Sequence, residues 1–216
     1  MATVQSLMAQ LAQRVDPRTK DGTEITTSNV GSVAGTRFTA QRLLDIYNHA
    51  RLALTQSLLM TKSKAEVTSM AGGIVKTGAI TWASQQAAKP SDFIDFVSMC
   101  NASNVPMTLL PATHIDVVRQ GSNPHYTCTA SNLLIFDVGA NFVFVGTASL
   151  VPDLSTYVLT YIGITEWVLA NVTGGSTQET IDEMLHPALL EMAQAVALEM
   201  GSLELLALGA KLTGGK

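Results

Sequence analysis

Hydrophobic positions recur at helical spacing near both ends of the chain and at strand spacing between them. Val4, Met8, Leu11 and Val15 lie three or four residues apart, which predicts a short amphipathic helix over residues 3–15. That helix stops at Asp16-Pro17, where proline removes an N–H and crowds the preceding turn. Leu43, Tyr47, Ala50, Leu54 and Leu58 share one helical face behind Thr39, whose hydroxyl can cap the first turn. A helix over 40–60 would be about 30 Å long at ~1.5 Å per residue, and residues 62–70 either extend it or add a further turn. Leu189, Met192, Ala193, Val196 and Met200 predict a last helix over 188–200 with Pro187 in its first turn, preceded by a turn of helix near 178–186.

Between these helices the periodicity changes. Residues 74–84, 93–97, 114–119, 126–130, 133–137, 142–145 and 156–162 are rich in β-branched and aromatic side chains and read as short strands. Gly121-Ser-Asn-Pro, Ser131-Asn and Val138-Gly-Ala-Asn supply residues that reverse a chain between strands. The expected fold is α+β: a helical bundle of N-terminal, long central and C-terminal helices with an inserted antiparallel β barrel or sandwich. The expected divisions are 1–71, 72–173 and 174–216. Residues 18–37, rich in Gly, Thr, Ser and Asn, read as a long, exposed and mobile connection suited to touching a neighbour. Ser176 with Glu179, and Thr180 with Glu183, have capping-box spacing. After Gly201 the tail is apolar and then small and flexible, which calls for a partner.

Composition strengthens the case for assembly. Of 216 residues, 47% are hydrophobic and 14% charged, against about 25% charged in an ordinary globular domain, so a surface low in charge is expected to meet neighbours. Net charge is −4, and its distribution is uneven: residues 1–89 hold ten basic and five acidic residues (+5), 90–163 one and five (−4), and 164–216 two and seven (−5). Ordinary solvated helix faces account for this, and charge complementarity between copies is the sharper reading. The acidic balance argues against a sequence-specific DNA reader. Cys100 and Cys128 read as reduced thiols in apolar surroundings. Residues 1–15 lack the pattern of a signal peptide, and no window of ~18 residues is apolar enough to span a bilayer, so a soluble, intracellular protein is expected. In that setting Asn101-Ala-Ser and Asn171-Val-Thr carry no glycan.

No catalytic constellation stands out. His49, His114, His125 and His186 lie in separate segments without zinc-ligand spacing. Serines lack a Gly-x-Ser-x-Gly elbow, and Gly72-Gly-Ile-Val-Lys-Thr lacks the glycine spacing that wraps phosphate. Asp92 with Asp95, and Asp182 with Glu183, are paired carboxylates that acid/base chemistry would require in a cleft; turn stabilisation is the simpler role for Asp92. Glu191, Glu199 and Glu204 form either a solvated stripe or, with copies around an axis, an acidic ring that lets DNA slide past without sticking. Trp82, Trp167, Tyr126 and Tyr157 would be the platforms of a glycan-binding module, though their strand positions favour the core. No catalytic, metal or cofactor residue is assigned, and the chain is expected not to be an enzyme.

The order of motifs resembles a known family. LMAQLAQRVDP, a loop, and then RFTAQRLLDIYNHARLAL are similar to the opening of tailed-bacteriophage head-to-tail adaptor proteins, also called head completion or connector proteins. Leu43, Leu44, Asp45, Asn48 and Ala50 match the family's Leu-Leu-Asp-x-x-Asn-x-Ala core, Lys89-Pro-Ser-Asp-Phe its strand start, and Leu185-His-Pro-Ala-Leu-Leu-Glu-Met-Ala the start of its last long helix. The loop over 18–37 is longer than the family's. The resemblance implies a virion protein of the neck, assembled in the host cytoplasm as a ring, dodecameric in the family, beneath the portal protein. Its partners would be the portal, copies of itself, tail or neck proteins, and double-stranded DNA passing without sequence-specific contact; no membrane is involved. Portal contact is carried to Leu203, Leu205, Leu206, Leu208, Lys211 and Leu212, and lining of the DNA channel to Glu191 and Glu199. The alternatives are a neck or tail-terminator ring and a non-catalytic glycan-binding module.

Overall fold

A computed structural model describes residues 2–32, 35, 37–70, 72–83, 85–100, 105–120, 128–129, 133–145, 157–173 and 175–213, and the side chains at 70, 72, 117, 119, 120 and 203–213 lie outside that description. The chain divides into a helical unit, residues 1–73 with 165–216, and a β-rich unit, residues 74–164.

In the helical unit, α1 (Val4–Val15) is capped by Thr3, whose hydroxyl accepts from the Ser6 amide at 3.1 Å, and ends at Asp16. Helix α2 (Ala40–Thr61) is capped in the same way by Thr39, which accepts from the Arg42 amide at 3.2 Å. A short α3 (Lys64–Met70) follows it. Val4, Leu7, Met8 and Leu11 of α1 and Leu43, Leu44, Ile46, Tyr47, Ala50 and Leu54 of α2 are buried at the spacing that makes one helical face apolar. They pack with Leu189, Leu190, Ala193 and Ala197 of α6 (His186–Thr213), which contacts both α1 and α2.

Segment 18–37 departs from expectation in part. Most of its described residues are exposed, as expected, but it is anchored instead of loose: Ile25 and Val30 are fully buried, and the Ile25 amide donates to the Pro17 carbonyl at 2.9 Å. Its far end is fastened to α1 by Asp16, 1% exposed, whose Oδ2 accepts from the amides of Arg37 (2.8 Å) and Phe38 (2.6 Å). Two isolated apolar residues in a polar run give no periodic signal, yet burying each is worth roughly 1.5–3 kcal/mol. That is enough to hold a loop.

The C-terminal helix also departs. Gly201 reads as a stop signal, but α6 continues through it to Thr213, 28 residues in all. The longest helix is therefore C-terminal, not central. The Arg37 guanidinium lies across Gly201, where a Cβ would meet that group. Arg37 is exposed and its far end is free to swing aside, whereas mid-helix glycine costs about 0.5–1 kcal/mol relative to alanine. Gly201→Ala is accordingly expected to raise stability by a few tenths to about 1 kcal/mol in urea unfolding; a loss of stability would mean that Arg37 is fixed in place.

The β-rich unit corrects the expected antiparallel barrel or sandwich. Two small sheets form, and no closed barrel is present among the described residues. The first, in order β1-β7-β3, is antiparallel: β1 (Val75–Ala79), β7 (Val158–Gly163) and β3 (Phe93–Cys100). The second, in order β2-β6-β5-β4, is mixed. In it β2 (Gln86–Ala88) and β5 (Leu133–Val138) pair antiparallel with β6 (Asn141–Phe144), while β4 (Met107–Pro111) runs parallel to β5. Parallel neighbours need a crossover rather than a hairpin, and residues 114–119, expected as a strand, lie on it as the end of a 3-10 turn (Ala112–His114) and most of α4 (Ile115–Gln120). The expected strand over 126–130 falls largely outside the described residues.

Strand β5 explains the layering. Leu133 and Ile135 face a core shared by both sheets with Phe96, Met99, Phe142, Phe144, Tyr157 and Leu159; Leu134 and Phe136 face the opposite way, towards Val118 of α4. Period-2 alternation thus meets apolar cover on both faces, which makes LLIF a continuous hydrophobic run.

Candidate functional site

The most unusual chemistry in the helical unit is a buried ion pair. Tyr47, Arg51 and Leu54 fall on the apolar stripe of α2, so Arg51 is carried inward and is 1% exposed. Its partner Glu179, 4% exposed, lies between α5 (Leu169–Val172) and α6 on a segment held in place by α1, because Val4 donates to the Thr177 carbonyl and Glu179 to the Ala2 carbonyl.

Every strong group in this centre is used. Arg51 Nε donates to Glu179 Oε1 at 3.1 Å, Nη1 to the Thr165 carbonyl at 2.9 Å and Nη2 to Thr180 Oγ1 at 3.0 Å. Glu179 Oε1 also accepts from the amides of Thr180 (2.7 Å) and Ile181 (3.0 Å); Oε2 accepts from the Tyr47 hydroxyl (2.6 Å) and Trp167 Nε1 (3.3 Å). The guanidinium sits over the Trp167 ring, 4.9 Å from its centroid, and Asn48 grips the Trp167 backbone through both amide atoms. Burial pushes the Tyr47 phenol far above its ordinary pKa, reinforced by the charge and hydrogen bond of Glu179. For Glu179 itself burial acts upwards, but the Arg51 charge and the hydrogen bonds from Tyr47, Ile181 and Thr180 together outweigh it and hold the carboxyl low.

Such an arrangement fixes geometry rather than performing chemistry. A general base needs an open lone pair towards substrate, and both Glu179 oxygens are engaged. The centre works as a clamp that ties segment 165–181 to α2 by directional bonds, with the low local dielectric strengthening each of them. Because the folded-state pKa of Glu179 lies below its ordinary value of 4.5, the stability it contributes is fully present above that value and lost as pH falls through the lowered one. Acid titration of the wild type should show this loss below about pH 4.5, and Glu179→Gln should reduce it; equal acid sensitivity in both would contradict the assignment.

Beside the clamp lies a cleft of about 680 Å³ lined by Gly73, Gln178, Glu179, Thr180, Ile181, Asp182, Glu183, Met184 and His186. Asp182 caps the short turn Glu183–Leu185 by accepting from the Met184 amide at 2.9 Å. His186 is buried with Nε2 3.0 Å from the Ile181 carbonyl, whereas Met184 is 73% exposed at the rim. At Gly73 the backbone approaches the Thr180 carbonyl so closely that no Cβ fits.

The residues singled out in the sequence are scattered. Leu203, Leu205, Leu206, Leu208, Lys211 and Leu212 lie within α6, where only the backbone is described; Glu191 and Glu199 are exposed on the same helix. His49 is exposed, His114 half-buried, and His125 lies outside the described residues. No group of three or more metal-ligating side chains occurs among the described residues, and Cys100 and Cys128 are free thiols. In the β-rich unit Asp92 takes a salt bridge from Lys76 and a hydrogen bond from the Tyr161 hydroxyl at 3.0 Å. The Tyr161 phenol is pushed up to about 12, by burial first and then by Asp92.

The aromatic residues offered as a glycan platform are committed elsewhere. Tyr157 is buried, Trp82 meets Phe144 edge-on and Trp167 belongs to the clamp; Tyr126 lies outside the described residues. The clamp's key pair was missed in the sequence, where Glu179 reads as a capping residue. The available signal was Arg51, a charge at an apolar-stripe position. The chain matches no protein-family model, and no curated protein matches it.

Proposed function

We propose that this protein is a non-enzymatic virion subunit, a head-to-tail adaptor that forms a ring against a portal protein and extends the DNA exit channel. The observation that carries the reading is α6, which runs on past Gly201 to Thr213 with five leucines against Glu204 and Lys211 in its last eleven residues. A helix of that composition is favourable in water only when covered. The bundle behind it suits a ring subunit, because the Arg51–Glu179 clamp and the fastening of residue 38 to Asp16 fix the angle at which α6 leaves the body.

The order of sequence motifs supplies the portal as the partner, and Leu203, Leu205, Leu206, Leu208, Lys211 and Leu212 are the residues proposed to meet it. Glu191 and Glu199, exposed on α6, are proposed to face the channel, where carboxylates repel DNA phosphates and prevent sticking. Electron microscopy of the protein mixed with the portal protein of the same genome tests the reading. A ring seated on the portal is expected; portal particles without added density would reject it.

A further inference from the structure

The outer edge of β1 is open along its whole length. In antiparallel pairing, successive residues turn their N–H and C=O groups alternately towards the neighbouring strand and away from it. The Ile80 amide donates to the Tyr157 carbonyl at 3.1 Å, and the register runs unbroken from there back to Val75↔Ile162. Lys76, Gly78 and Ile80 therefore turn their backbone groups inward to β7, and Val75, Thr77 and Ala79 turn theirs outward. Strand β1 is the last of its sheet, and Thr77, Gly78 and Ala79 are exposed. Among the described residues the outward groups of Val75, Thr77 and Ala79 take no hydrogen bond.

The other outer strands carry devices that blunt an edge. Strand β3 is interrupted by two register shifts, between Phe93 and Asp95 and between Phe96 and Ser98, and Asp95 Oδ1 takes the Phe96 amide at 2.8 Å. Strand β4 ends in Pro111 and follows Pro106, which bridges to Cys100. Strand β2 is three residues long. In β1 there is neither a proline nor a register shift. Its one charge, Lys76, does not guard the edge, because the ammonium reaches back to Asp92, which adjoins β3 beyond β7 in the sheet order.

We infer that β1 pairs with β1 of a second copy of this chain, antiparallel about a two-fold axis at Thr77, so that two three-stranded sheets become one continuous sheet. Thr77 then lies opposite Thr77 of the other copy, Val75 opposite Ala79, and Lys76 opposite Gly78. Because Val75, Thr77 and Ala79 all face outward, each of these pairs falls in the hydrogen-bonded position and exchanges both N–H···O bonds. The side chains favour a second copy as the occupant. Nothing lies within 4 Å of where a Cβ would stand on Gly78, so each Lys76 meets an open position. Sliding the register to set Val75 opposite Thr77 would instead place Lys76 against Lys76, and like charges directly opposite destabilise a sheet. On the other face Thr77, Thr160 and Ser98 stand in line across β1, β7 and β3. The two-fold axis continues that row of hydroxyls through a Thr–Thr pair, a favourable cross-strand neighbour. The contact is isologous, so it joins two copies and stops. It is a state of the free chain, separate from any ring, and does not rest on the portal reading.

Sedimentation velocity of the full-length chain, over a concentration series reaching ~1 mM so that a weak contact is populated, tests the pairing. Thr77→Pro removes the central outward N–H, and proline is compatible with an edge strand at a position whose N–H faces solvent; circular dichroism checks that the variant is folded. The wild type is expected to pass from monomer to dimer, and Thr77→Pro to associate at least ~10-fold more weakly. Gly78→Lys and Gly78→Glu fill the open position opposite Lys76 and read the register. Gly78→Lys is expected to weaken the dimer and Gly78→Glu to tighten it, most clearly at low salt. A wild type that stays monomeric throughout overturns the inference and leaves the edge to a strand of another protein. So does a folded Thr77→Pro protein that dimerises as well as wild type, or a shift in the same direction from both Gly78 variants.

Discussion

Arg51→Ala is expected to destabilise the helical unit by about 3–5 kcal/mol, the cost of leaving one member of a buried ion pair without its counter-charge. Both side chains are essentially excluded from water, so Glu179 cannot recover solvation. The hydrogen bonds from Arg51 to the Thr165 carbonyl and the Thr180 hydroxyl are lost in the same step. Trp167 packs under the guanidinium and reports the event: in a Trp82→Phe background its fluorescence follows urea unfolding of the helical unit alone. Arg51→Met combined with Glu179→Gln should recover part of the loss, since both charges go while an oxygen remains for the Thr180 and Ile181 amides. An Arg51→Ala protein within about 1 kcal/mol of wild type, the ordinary worth of a single hydrogen bond, would show that the centre is not a clamp.

Phe142→Ala should cost the β-rich unit a similar amount, about 3–5 kcal/mol for a fully buried phenylalanine truncated in a packed core. Phe142 is 0% exposed and meets Phe93 edge-on at 5.4 Å and Phe96 at 6.0 Å, with the Lys89 ammonium 5.4 Å from its ring centroid. Its removal therefore opens a cavity where β3, β6 and the Lys89 stem converge, and strands fixed by backbone pairing are poorly able to close it. Trp82 packs against the same core, so its fluorescence in a Trp167→Phe background is the readout. A loss under about 1.5 kcal/mol, typical of volume-conserving changes, would place Phe142 at a site that collapses freely.

Much of the helical unit is legible from the chain because its burial follows the 3.6-residue period. Thr39 caps α2, and Leu43, Tyr47, Ala50 and Leu54 are buried on one face. The pattern fails where tertiary contacts override local signals. Gly201 lies inside a helix instead of ending it, and Ile25 and Val30 are anchors in a segment with no periodicity. Residues 115–120 carry β-branched side chains that suit a strand, yet a parallel β4–β5 pair demands a crossover there and α4 forms instead. Pairing order is non-local information that composition does not carry.

The candidate site is hidden for a related reason. Glu179 and Arg51 are 128 residues apart, and capping-box spacing offers a simpler local role for the glutamate. Only Arg51 on the apolar stripe of α2 marks the place. The end of α6 is half legible: its leucines stand in the sequence, but Gly201 hides the helix that carries them.

Co-sedimentation with the portal protein tests the proposed role most directly, comparing the full chain with one ending at Gly201. The full chain should pellet with portal particles, and the shortened chain, still folded by circular dichroism, should remain in the supernatant. Equal pelleting of the two would contradict the assignment of residues 202–213 as the docking element.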